Sequence, residues 1–139
     1  MLNRIDKVKE IDLQIIKSID ANINVFEKLD ELFTIKRIFT VEINQFNKNE
    51  RGRHAHKIDH QIVTCPSGSI NFLVTDGISK KEFAINSRNK AVYVPNHIWT
   101  ETSYLEKNTI VTCYCSENYN EKSYIRNYND FISFRKLFK

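Results

Sequence analysis

A chain of 139 residues with 41% hydrophobic and 12% aromatic side chains can bury a core without disulfides or a structural metal, and its three Gly and two Pro exclude a disordered or linker-rich protein. The 21 Lys and Arg against 17 Asp and Glu leave +4, spread along the chain and too weak to argue for nucleic acid. No apolar run approaches membrane-spanning length, the charged start is unlike a signal peptide, and Cys65, Cys113 and Cys115 are odd in number within apolar alternating segments, so the chain reads as cytoplasmic with reduced, buried thiols and no membrane partner.

In chain order, residues 24–33 come first, where Val25, Phe26, Leu29 and Leu32 have helix-compatible spacing that also fits a strand followed by a loop. Residues 35–43 set Phe39, Val41 and Ile43 against Thr40 and Glu42, the alternation of a half-buried strand. Segments 61–65, 70–75, 82–85, 91–94 and 109–115 are short and rich in β-branched or aromatic residues, and each predicts a strand. Pro66-Ser67-Gly68-Ser69 predicts a turn and Asp76-Gly77 a hairpin. Over 128–138, Phe131, Phe134 and Leu137 recur every three residues, which predicts a helix with Asn129 or Asp130 as N-cap. Many short strands at this spacing, with no repeat or linker, mean one domain over 1–139: an all-β sandwich or barrel with a short C-terminal helix.

The segment Arg51-Gly52-Arg53-His54-Ala55-His56-Lys57 carries the chemistry. Residues two apart share one face of a strand, and at about 3.3 Å of rise per residue both imidazoles reach one small ligand. Such a pair can be structural, can ligate zinc, iron, nickel or copper, or can transfer protons near neutral pH. The cationic cluster Arg51, Arg53 and Lys57 beside it favours an anionic ligand, and phosphate fits well.

The surroundings of the pair resemble the cupin family. Gln61 stands where that family has a glutamate ligand, Gly68 arrives at the matching spacing, and Pro95-Asn96-His97-Ile98-Trp99-Thr100 maps onto the second cupin motif. There Thr100 occupies the histidine position and His97 the glycine position, where the chain should turn. An amide and a hydroxyl in place of a carboxylate and an imidazole argue against a bound metal.

A narrower resemblance rests on RGxHAHK, Gln61, Gly68-Ser69, Val94-Pro95 with Trp99 and Glu101, and Tyr119-x-Glu121-x-x-Tyr124-Ile125-Arg126-x-Tyr128-x-x-Phe131. Together these look like the sugar 3,4-ketoisomerases, a family of WxcM-like cupins. The resemblance implies a cupin-type double-stranded β-helix (jelly roll) that needs neither metal nor other cofactor. It also implies a homodimer with exchanged N-terminal strands before about Ile35, and a dTDP-linked 4-keto-6-deoxyhexose whose carbonyl moves from C4 to C3 through an enediol, toward 3-amino-3,6-dideoxy sugars of surface polysaccharides. Carried over by motif, His54 and His56 are the proton-transfer pair. Arg51, Gln61, Arg37, Lys57 and Trp99 are the substrate-binding residues, although alternation points Lys57 away from the histidine face. The chain departs from the family at Thr100, where histidine usually follows the tryptophan, and at Phe39, where many members have tyrosine. Two further classes therefore stand beside the isomerase: a cupin that binds a nucleotide sugar without turnover, and a metal-dependent cupin oxidoreductase.

Overall fold

A computed structural model of the chain describes residues 2–46 and 50–138, except for the side chains of Glu50 and Arg51. Two antiparallel five-stranded sheets face each other across the core. The first has the order β1 (Lys9–Asp12), β9 (Lys90–Val94), β6 (Gln61–Ser67), β11 (Ile110–Cys115), β4 (Arg37–Glu42). The second runs β12 (Tyr124–Ile125), β5 (Glu50–His56), β10 (Trp99–Tyr104), β7 (Ser69–Thr75), β8 (Lys80–Asn86). Strands β2 (Gln14–Lys17) and β3 (Asn22–Val25) pair only with each other. The arrangement is the expected all-β jelly roll, closed by one helix, α1 (Tyr128–Lys136).

Period-two alternation builds the core. Val111, Cys113 and Cys115 of β11 and Ile70, Phe72 and Val74 of β7 point inward and meet Val63, Ile85, Val92 and Val94. Each such side chain contributes roughly 1.5–3 kcal/mol relative to exposure. The three cysteines are free and buried, and burial pushes the Cys65 and Cys115 thiols up to about 11. Thiols at that level stay protonated and inert.

Two irregularities shape the sheets. Gly52 sits at φ +63° beside a bulge where β10 steps from Thr100↔His54 to Thr102↔Arg51, a left-handed conformation that glycine adopts without steric cost. Pro66 lies at the second bulge, where β11 steps from Ser67 to Thr64, so its missing N–H interrupts no regular ladder. The predicted Pro66–Ser69 turn is consequently tighter than the sequence suggests. β6 runs through Ser67, and only Gly68, at φ +80°, separates it from β7.

Other expectations are resolved or revised. Over 24–33 the chain takes the strand-and-loop alternative and not the helix: β3 ends at Val25 and a single 3-10 turn spans Leu29–Glu31. The helix begins before Asn129, with Asn127 as N-cap: its backbone is extended and its side-chain oxygen accepts from the Asp130 N–H. That start brings Tyr128 against Trp99 and sinks Phe131, fully buried, between Trp99, Ala55 and Ile125. His97 does turn the chain, at φ +72°. β1 is seated on β9 of its own chain, whereas the β2–β3 hairpin pairs with no other strand among the described residues.

Candidate functional site

Beyond the Gly52 bulge β5 resumes strict alternation, turning His54 and His56 inward and Ala55 outward under the helix. The two imidazoles meet edge to face, with ring centroids 4.6 Å apart and their Nε2 atoms 2.9 Å apart. Tyr124, opposite His56 in the β12–β5 register, packs on both rings at centroid distances of 5.2 and 4.5 Å. Neither Nδ1 has a partner among the described residues. Burial, reinforced by His56 and Arg126, pushes His54 down to about 3, while burial with Arg37 and Arg126 takes His56 down to about 4. Both rings are therefore neutral near pH 7. A hydrogen bond between two Nε2 atoms then needs one ring to donate and the other to accept, so an N–H and a lone pair stand side by side.

The pair lines a cavity of about 300 Å³ between the sheets. Its polar wall comes from Asp59 and Gln61, its apolar wall from Phe39, Val63 and Phe72, and its other side from Thr100, Tyr124 and Arg126. Asp59, 3% exposed, is the most connected group there. Its Oδ2 accepts from Arg37 Nη2 at 3.1 Å and Gln61 Nε2 at 3.0 Å, and its Oδ1 accepts from Ser116 Oγ at 3.2 Å and the Glu117 N–H at 3.0 Å. Arg126 lies over the Tyr124 ring at 4.4 Å and forks onto Glu121, which also accepts from Tyr119 Oη at 2.6 Å. The Arg126 guanidinium, with that hydroxyl, holds the Glu121 carboxyl at about 2.

Of the residues expected at the site, His54, His56 and Gln61 line the cavity together. Arg37 reaches it through Asp59. The side chain of Arg51 lies outside the described residues. Lys57 is exposed beyond the end of β5, and Trp99 is on the outer face. Because Trp99 pairs with Ala55, its side chain shares the Ala55 side of the sheet, where the ring meets Tyr128 and Phe131 and Nε1 donates to Glu101 at 3.0 Å. The next residue, Thr100, takes the cavity side instead. Sequence reasoning missed Asp59, Tyr124 and Arg126. The Tyr-Ile-Arg motif signals the last two, whereas Asp59 has no spacing signal and is recruited by the fold.

The residues present do not suit a metal. Gln61 directs its amide nitrogen at Asp59, Thr100 Oγ1 donates to the backbone carbonyls of Gly52 and His54, and no cluster of three His, Cys, Asp or Glu side chains forms among the described residues.

The family described as FdtA: WxcM-like, C-terminal matches residues 6–136. A curated relative, the TDP-4-oxo-6-deoxy-alpha-D-glucose-3,4-oxoisomerase of Aneurinibacillus thermoaerophilus, is 29% identical over 118 residues, 85% of this chain and 84% of the relative. Among solved structures, a 3,4-ketoisomerase from Helicobacter canadensis superposes with a TM-score of 0.85 at 26% identity, covering 94% of this chain and 98% of that one. The sugar 3,4-ketoisomerase QdtA from Thermoanaerobacterium thermosaccharolyticum, in complex with TDP, gives 0.84 at 28% identity, covering 95% and 96%.

Proposed function

We propose, from the premise that this chain belongs to the FdtA family (WxcM-like, C-terminal), that it is a sugar 3,4-ketoisomerase acting on a dTDP-linked 4-keto-6-deoxyhexose. The observation that carries the reading is the Nε2 to Nε2 contact of 2.9 Å between two neutral imidazoles. Moving a carbonyl from C4 to C3 requires a base for the C3 proton, a proton for the C4 oxygen as the enediol forms, a proton delivered to C4, and loss of the C3 hydroxyl proton. No atom is gained or lost, so no external oxidant is needed. As the substrate enters and opens the contact between the rings, the Nε2 lone pair that accepted the hydrogen bond takes the C3 proton, and the neighbouring ring, with its Nε2 proton already in place, is the acid. Arg126, a cation at the cavity edge held in place by its fork onto Glu121, suits the diphosphate, and we assign Arg51 to the same anionic half of the ligand.

Incubation with dTDP-4-keto-6-deoxyglucose in deuterium oxide tests this reading. The expected result is a 3-keto product carrying deuterium at C4. Binding without any exchange at C3 or C4 would support the second reading, a nucleotide-sugar-binding protein. That reading is favoured by the apolar Phe39 ring and the Thr100 hydroxyl, neither of them an acid or base, which line the cavity at the positions of the family's usual Tyr and His.

We further propose a homodimer built through the β2–β3 hairpin, which exposes Ile16, Ile19 and Ile23 at 56%, 101% and 58%. Exchange of this hairpin onto a second copy would cover them. A solution mass equal to one chain at micromolar concentration would overturn the assembly.

A further inference from the structure

We propose that Asp59 is a positioning residue that makes Gln61 a hydrogen-bond acceptor toward the cavity, where it takes a hydroxyl of the bound hexose. The proposal rests on the keto-sugar reading of the cavity. An amide side chain can present either its oxygen or its nitrogen, and the two ends differ in what they recognise. Here the choice is fixed by what surrounds the nitrogen. Gln61 Nε2 carries two hydrogens: one goes to Asp59 Oδ2 at 3.0 Å and the other faces Cys115 Sγ at 3.6 Å. Asp59 is ion-paired to Arg37, so its oxygens can only accept, and the reversed amide would set oxygen against oxygen.

The carboxylate itself cannot rotate freely, because Ser116 Oγ and the Glu117 N–H hold Oδ1 while Arg37 and Gln61 share Oδ2. Gln61 Oε1 is left without a protein partner among the described residues, on a side chain that lines the cavity beside His54 and His56. An oxygen in that position recognises a donor, and a hexose offers donors as hydroxyl groups. The site therefore requires a hydroxyl and should reject a sugar lacking it, because the oxygen would then be buried unpaired.

The test uses unreactive ligands, so that it reads binding and not turnover: dTDP-6-deoxyglucose and its 2-deoxy and 3-deoxy analogues, titrated calorimetrically into the full-length protein and into the variants Asp59→Asn and Gln61→Met. Wild type should bind one of the two deoxy analogues roughly three- to tenfold more weakly than the parent. Gln61→Met, of similar volume with no acceptor of that strength, should abolish the ratio. Asp59→Asn, which lets the amide reverse, should shrink it. A merely structural Asp59 would weaken all three ligands together and leave the ratio intact, which would overturn the proposal, as would equal binding of all three ligands by wild type. If none of the three bound wild type while the fold was intact, the keto-sugar reading itself would fall.

Discussion

The two faces of β5 and β10 obey the same alternation and are held by opposite physics. On the outer face Ala55 and Trp99, with Ile125 of β12, are buried against Phe131 of α1, and Trp99, the member with a hydrogen-bonding group, has its partner in Glu101. On the inner face, on either side of Ala55 along β5, His54 and His56 have Nδ1 atoms without partners among the described residues, in an environment that forbids their charge. Buried polar groups without partners cost free energy, and a fold tolerates them where something else is gained. The outer face makes β5 rigid, and that rigidity holds two imidazoles in a geometry that stability alone would not select.

Breaking the inner face should give the largest effect. His54→Asn and His56→Asn are each expected to slow isomerisation by roughly 10² to 10⁴, the usual loss for a general acid or base, with the fold retained. Turnover measured alongside a circular dichroism spectrum checks this, and near-wild-type rates in both variants would remove the pair from the chemistry. Breaking the outer face should do the reverse. Phe131→Ala empties a fully buried site and should cost roughly 3–5 kcal/mol in urea unfolding, while the molecules that remain folded keep their turnover per site.

The contrast also explains what the sequence discloses. Alternation made β4 legible, and short runs of β-branched or aromatic residues did the same for β6, β7, β8, β9 and β11. It failed for β1 to β3, whose strands bury little, and for β12, with only Tyr124 and Ile125. The histidine pair was legible from its spacing. The division between Thr100 and Trp99 follows from the same period-two rule once β10 is known to pair Trp99 with Ala55, a register that no local pattern encodes. Asp59 was invisible for a different reason: its role is set by Arg37, Gln61, Ser116 and Glu117, and the last two lie more than 50 residues away.

Acid should sharpen the comparison by a smaller amount. The folded-state values of about 3 for His54 and about 4 for His56 lie below the ordinary 6.5, so between these limits the unfolded chain binds more protons than the native one. Stability is then fully present above 6.5 and is lost as pH falls toward 4, by up to about 1.4 kcal/mol per pH unit for each ring. Urea midpoints at pH 7, 6 and 5 should decline in wild type and decline less steeply in the double variant His54→Asn/His56→Asn. Equal slopes would mean that the rings titrate normally. For the same reason kcat/KM should show no acid limb near 6.5.

The smallest effect is expected at Trp99, and it decides whether that residue belongs to the structural face or to the ligand. Trp99→Phe keeps a ring against Phe131 and Tyr128 but removes the Nε1–H donated to Glu101. One part-buried hydrogen bond to a carboxylate, with some indole area, is worth about 1–2 kcal/mol of stability. Glu101 also accepts from Arg53 Nε and Nη2, so the carboxylate keeps partners and the loss stays at the low end. Affinity for dTDP-6-deoxyglucose should not change, since the indole stands on the opposite side of the sheet from His54 and Thr100. A drop in that affinity without a matching drop in stability would place the ligand across the edge of β10, and would return Trp99 to the substrate.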